Sequence, residues 1–285
     1  MKVRIKYTKS ELLKFIGHLD VMRYFQKAVK RAGFDIAYSQ GFSPHQLMSF
    51  AAPLALGVTS EGEYFDAEFN SLVSSDEFVR RFNEQMAAGM EVKDVVLLPD
   101  NAKNSMSIVA ASDYMITIFK SVPNDVKEKI LSYLPYLLEK ESIEILKKTK
   151  KNEKIEDIKP GILKLSVESY QSAKILAGED VVGSIDGCMN NHNNIEDFRK
   201  SETADKNAVF NQYVEDVEAV DKMYLLLATG SEYNLKPELV IQAVCREIGY
   251  EYKQFDYKIH RLETYMKDEE GKLVSLLQSG TRIEG

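Results

Sequence analysis

From Tyr38 to Asp66 the chain reads YSQGFSPHQLMSFAAPLALGVTSEGEYFD, with glycines and prolines at irregular positions among aromatic and aliphatic residues. A helix does not tolerate prolines in its interior, and a linker does not carry so many large apolar side chains. The stretch therefore reads as an ordered loop, Gly41 to Gln46, feeding two strands that hold it in place. Ordered loops on rigid strands are where binding and catalysis concentrate.

The flanking residues set the fold class. Lys2 to Tyr7 alternates strictly, with Val3, Ile5 and Tyr7 on one side and Lys2, Arg4 and Lys6 on the other, which predicts a half-buried strand with an open basic face. A helix follows over about 19–32. Met22, Phe25, Val29 and Ala32 give its buried stripe, while Arg23, Lys27, Lys30 and Arg31 give a basic stripe elsewhere on its surface. Gly33 stops it. Strands are predicted at 35–39, around 49–56, at 63–69 and at 90–98, with a second helix at 76–86 capped by Ser74 or Ser75. The order strand, helix, two strands, helix, strand is the ferredoxin-like βαββαβ unit, an antiparallel sheet with its helices on one face. Beyond a connection at 99–112, strands at 114–119, 143–148, 162–169, 223–228 and 257–266 and helices at 124–139 and 237–248 approximate a second such unit. Pro135 is expected to bend or shorten the first of these helices. The predicted architecture is α+β, with two tandem ferredoxin-like units at 1–100 and 113–268 and an acidic insertion at about 178–221 in the second.

Charge is uneven along the 285 residues. The total is -7, yet residues 1–50 hold nine Lys/Arg against three Asp/Glu, and 170–221 hold four against eleven. The whole-chain acidity thus says little against an anionic ligand for the N-terminal part. Cys188 and Cys245 stand far apart and form no metal or redox motif, and with only four histidines a Cys/His metal site is not expected. No window approaches the ~18 apolar residues of a membrane span. The first fifteen residues lack the apolar core of a signal peptide, so a cytoplasmic protein that does not engage membranes is expected. Walker, dinucleotide-binding and nucleophile-elbow motifs are all missing.

Several short runs carry a family resemblance. They are Gly17-His18-Leu19-Asp20, Tyr38-Ser39-Gln40-Gly41-Phe42, Ser49-Phe50-Ala51, Pro53-Leu54, Leu56-Gly57-Val58 and Ser60-Glu61-Gly62-Glu63-Tyr64. Together they resemble the bacterial radical SAM-linked protein family, a domain of unknown function found fused to a radical SAM domain or encoded beside one. The likeness is strong over 1–100. It is weaker at Leu235 to Val240 and at Ile259-His260-Arg261. Gly17 stands where that family usually has Ser, and Ser43-Pro44-His45-Gln46-Leu47 stands where it has Asn-Pro-Arg-Pro-Lys, so two loop cations are replaced, one by His45. The resemblance implies a radical SAM enzyme as partner. The chain has no C-x-x-x-C-x-x-C triad for an iron–sulfur cluster and so is not itself that enzyme.

Three candidate sites follow. The first is a nucleic-acid-binding surface of Lys2, Arg4, Lys6, Arg23, Lys27, Lys30 and Arg31, whose simpler reading is a solvated charged face. The second is a binding loop of Gln40, Gly41, Phe42, Ser43 and His45; there Gly41 permits positive φ and Phe42 either stacks on a base or, the favoured reading, plugs the core. The third is His18 at a helix start, where the dipole favours a neutral base, although a purely structural role is favoured. The leading expectation is a non-enzymatic accessory protein, without cofactor or metal, that binds RNA or another macromolecular substrate for the radical SAM partner. One alternative is a metal-independent RNA endonuclease using His18 or His45, by analogy with the tandem ferredoxin-like CRISPR repeat-processing enzymes. Another is a protein-docking module that uses the acidic insertion.

Overall fold

A computed structural model describes residues 1–148, 153–167, 221–230 and 233–285. The predicted insertion at 178–221 lies outside the described residues apart from Asp221, as do Cys188 and His192. In chain order the strands are β1 (Lys2–Lys9), β2 (Met48–Phe50), β3 (Thr59–Glu68), β4 (Met90–Leu97), β5 (Val109–Ile118) and β6 (Glu144–Lys148), then β7 (Glu153–Asp157), β8 (Ile162–Ser166), β9 (Lys222–Ala228), β10 (Tyr257–Lys267) and β11 (Leu273–Ser275). The helices are α1 (His18–Arg31), α2 (Ser75–Asn83), the single turn α3 (Ser105–Ile108), α4 (Asn124–Glu139) and α5 (Pro237–Glu247). The chain divides into two compact units. One comprises 1–112, 229–233 and 260–285; the other comprises 113–228 and 234–259.

In the first unit β1 lies between β4 and β3, antiparallel to both, and β2 pairs antiparallel with the far half of β3. The near end of β3 takes a different neighbour: Thr59 and Ser60 pair in parallel with His260 and Arg261 of β10. The class is α+β as predicted, but the sheet is mixed. The expectation of purely antiparallel sheets is corrected by this parallel pair, which joins segments some 200 residues apart in sequence and so leaves no local signal. Gly62 makes the approach of β10 possible, because a Cβ there would lie 2.4 Å from the Glu263 Cα.

The core of this unit follows the periodicities. Val3, Ile5 and Tyr7 of β1 meet Phe25 and Val29 of α1 and Phe78 and Phe82 of α2. Tyr7 packs edge-on against Phe25 with centroids 4.6 Å apart, and Phe34 stacks on Phe78 at 4.3 Å. Burial of each such ring contributes on the order of 1.5–3 kcal/mol. α1 ends as a Schellman motif: Gly33 has φ +68°, its N–H donates to the Lys30 carbonyl, and the Phe34 N–H donates to the Val29 carbonyl. Ser74 caps α2 by accepting from the Glu77 N–H at 3.3 Å. The predicted strands at 35–39 and 49–56 shrink to isolated bridges (Ile36 with Phe69, Tyr38 with Gln46) and to the three residues of β2.

The other face of β1 is not open. Arg4 is fully buried, with its guanidinium on both Asp66 carboxylate oxygens at 2.7 and 3.0 Å, on Ser279 Oγ at 2.6 Å and on the Lys103 carbonyl at 3.1 Å. Lys6 donates to Glu263 Oε2 at 2.6 Å, and Tyr64 donates its hydroxyl to Glu263 Oε1 at 2.7 Å. Strand β10 and the turn Leu276–Ser279 supply this cover. Alternation predicted the division of side chains correctly and their solvent exposure wrongly.

In the second unit β9 pairs antiparallel with β8, and β6 with β7. α4 buries Ile130, Leu134 and Leu137, and α5 buries Val240, Ile241 and Val244. α4 runs through Pro135 to Glu139 and is not shortened by it. Glu247 of α5 accepts from Lys140 and from the Tyr133 hydroxyl. The hydrogen bond from Lys140, with help from Arg246, holds its carboxyl at a pKa of about 2. Among the described residues no helix is long and apolar enough to cross a membrane.

Candidate nucleic-acid interface

Arg23, Lys27, Lys30 and Arg31 fall at i, i+4, i+7 and i+8 of α1, which aligns them in one row along the helix. The apolar stripe of Val21, Phe25, Ala28 and Val29 faces the core, so the row faces solvent, and all four cations are exposed. Arg23 lies 3.5 Å from Asp20, a loose pair with both side chains about two-thirds exposed, which contributes little. Arg31 donates to the Gln85 carbonyl at 2.9 Å. Lys27 and Lys30 face no carboxylate among the described residues; Lys30 instead stands 5.9 Å from the Tyr38 ring centroid. The Gln46 side-chain hydrogen bond, with a smaller contribution from Lys30, lowers the Tyr38 phenol pKa.

The loop after α1 is fastened on both sides. Tyr38 and Gln46 form an antiparallel bridge. Inside it the Ser39 N–H donates to the His45 carbonyl at 2.8 Å, the His45 N–H donates to Ser39 Oγ at 3.1 Å, and Ser39 Oγ lies 2.8 Å from His45 Nδ1. Buried Gln46 donates its amide to the Gln26 carbonyl of α1 at 3.2 Å, which ties the loop to the helix turn that bears Lys27 and Lys30. Gly41 holds φ +113°, the conformation predicted for it, and turns the chain so that Phe42 points outward. Phe42 is fully exposed. The favoured expectation of a core plug is therefore corrected: a loop closed this tightly has no room to fold a phenyl ring back under itself.

The structure thus sets Lys30 beside Tyr38 and ties the loop that bears residues 40–45 to α1 through Gln46, which meets Gln26, next to Lys27 in the chain of the helix. Arg4 is removed from the candidate surface because its guanidinium is enclosed and its charge already met by Asp66. Lys6 is held on buried Glu263, and Lys2 reaches only to 4.0 Å from Asp66. His18, the first residue of α1, turns its ring edge-on to Phe50 at 5.5 Å, and partial burial lowers its pKa. Among the described residues no carboxylate is hydrogen-bonded to His18 or His45 to orient either ring as a base, and no group of three His, Cys, Asp or Glu could hold a metal.

Two features of the first unit left no sequence signal. Leu12, Phe15, Leu19 and Leu56 are all exposed around the start of α1, where the Gly57 N–H donates to the Lys14 carbonyl. Beneath them, Lys9 caps the carbonyls of Lys14 and Ile16, and Glu63 is paired with Arg261 at 2.8 Å. Burial lowers the Lys9 pKa and raises that of Glu63. Helix-starting residues and the Ser-Phe-Ala and Gly-Glu-Tyr runs, distant in sequence, converge here.

Comparison with known proteins adds a family and little else. The model of a family described as an uncharacterized protein conserved in bacteria, DUF2344, matches residues 2–191. No curated protein matches the chain. Among solved structures, a chain of the crystal structure of a Cbf5-Nop10-Gar1 complex aligns over 94% of this chain at 9% identity, with a TM-score of 0.40. This chain spans half the length of that one. Similarity at that level assigns neither fold family nor function.

Proposed function

The chain belongs to the bacterial family DUF2344, and on that footing we propose that it is an accessory protein that binds RNA through the solvent face of α1 and the adjoining loop. The observation that supports this most is the fastening of the 38–46 loop to the basic row by the Gln46–Gln26 hydrogen bond, which makes cations and an exposed aromatic ring one surface. Lys/Arg rows supply sequence-independent affinity for phosphates, and aromatic rings supply stacking for bases. The strand order β4-β1-β3-β2 in the first unit is compatible with a ferredoxin-like platform for such a surface.

A partner enzyme of the radical SAM class, in the cytoplasm, completes this reading. The exposed Leu12, Phe15, Leu19 and Leu56 at the opposite end of α1 offer that enzyme an apolar contact, separate from the RNA row. The test is a crosslinking pull-down of the tagged protein from its native cells, with bound RNA sequenced and bound proteins identified together. A discrete RNA, lost when Arg23, Lys27 and Lys30 are all changed to Glu, is expected. A radical SAM enzyme recovered without RNA would reduce the basic row to a solvated face.

A further inference from the structure

We infer that the nucleic acid taken by this surface is single-stranded, with an unpaired base stacked on Phe42 while phosphates lie along Lys27 and Lys30. The inference rests on the RNA-binding reading and specifies its ligand. A fully solvated phenyl ring at the tip of a mobile loop would mean little, but this one sits in a loop closed by three hydrogen bonds between Ser39 and His45, inside the Tyr38–Gln46 bridge, with Pro44 stiffening the turn between them. Ordering an aromatic ring in water has a cost that a flat apolar partner offsets. The face of an unpaired base is such a partner, whereas the stacked bases of a duplex present only edges and phosphates.

Charge points the same way. Lys27 and Lys30 are one helical turn apart and unmatched by carboxylates among the described residues, so they favour a polyanion that tracks along α1 toward the loop. Tyr38, with its ring against Lys30, gives a second aromatic surface at the same place.

The test is fluorescence anisotropy of the full chain, at low salt, with three labelled probes: an oligoadenylate, an oligouridylate of the same length, and a blunt RNA duplex. Single strands are expected to bind roughly tenfold or more tightly than the duplex. Phe42→Ala is expected to weaken single-strand binding roughly 5–150-fold, the span of base–aromatic stacking, and to leave duplex binding unchanged. Phe42→Tyr retains the ring and is expected to retain affinity. Because Phe42 has no ring contact among the described residues, Phe42→Ala does not disturb the fold, and an unchanged circular dichroism spectrum checks this. Equal affinity for strand and duplex, or Phe42→Ala within about twofold of the parent, overturns the inference. If the triple Arg23, Lys27 and Lys30 reversal still abolishes binding in that case, RNA binding itself survives. No binding to any probe overturns both. Competition by polyglutamate as effective as by unlabelled RNA would overturn the inference in favour of an acidic peptide.

Discussion

Changing Asp66 to Ala strands the Arg4 guanidinium in the interior of the first unit. Arg4 and the Asp66 side chain are both essentially inaccessible, and Asp66 accepts from Arg4 Nε and Nη2 and, through Oδ2, from the Ser105 N–H at 2.8 Å. Removing one partner of a buried ion pair costs about 3–5 kcal/mol, because the remaining charge is uncompensated. An orphaned buried N–H costs about 1–3 kcal/mol more. The two losses share an environment and do not simply add, so a total of about 4–6 kcal/mol is expected. Against the ~5–15 kcal/mol that holds a typical domain, that is enough to leave the first unit partly unfolded at ambient temperature. Urea unfolding followed by circular dichroism and tyrosine fluorescence measures it; the chain has 15 tyrosines and no tryptophan to mask them. The double variant Arg4→Met with Asp66→Leu is expected to recover much of the loss, since no uncompensated buried charge then remains, although the Ser105 N–H and the Lys103 carbonyl lose these partners. A loss below about 1 kcal/mol for Asp66→Ala, the value of an exposed pair, would refute the reasoning. It would mean that the basic face of β1 is wet and would return Arg4 to the candidate interface.

Three further outcomes are expected. Neutralising Arg23, Lys27 and Lys30 to Gln flattens the dependence of log K on log salt for single-stranded RNA by about 2, at about 0.7 for each phosphate no longer neutralised; an unchanged slope places the binding face elsewhere. Gly62→Ala drives a methyl group against the Glu263 backbone and destabilises the chain by at least about 2 kcal/mol, and a thermal midpoint equal to the parent's would count against the parallel β3–β10 pairing. Glu247 titrates at its ordinary value of 4.5 when unfolded and at about 2 when folded. Its contribution is therefore fully present above the first value and lost as pH falls towards the second. Glu247→Gln removes this acid-labile component, so thermal midpoints of variant and parent converge as pH drops through that window; parallel curves would contradict it.

Local periodicity located the elements well and their surroundings poorly. α1, α4, β4 and β9 fall within a few residues of their expected bounds because each has its own hydrophobic stripe or run. β7 and β11 escaped because Glu153–Asp157 and Leu273–Ser275 are too polar or too short to show alternation. Arg4 and Lys27 look alike in sequence, each a cation opposite an apolar stripe. What separates them is the strand and turn contributed by residues beyond 257, which cover one and not the other. Phe42 illustrates the converse. An aromatic beside Gly and Pro reads as buried, and only the Ser39–His45 fastening shows that it cannot turn inward. Gly62 falls just before the strand predicted at 63–69, and nothing in its local sequence marks it as the place where β10 passes.

The central claim, that α1 and the loop bearing Phe42 form the RNA-binding surface, is tested most directly by photocrosslinking. The full chain is bound to a single strand containing 4-thiouridine, irradiated and digested, and the adducts are located by mass spectrometry. Adducts on the peptides spanning 24–30 and 31–46, reduced by Phe42→Ala and abolished by the Arg23, Lys27 and Lys30 reversal, are the predicted result. Adducts confined to other peptides, or equal labelling of the triple variant, would contradict the account.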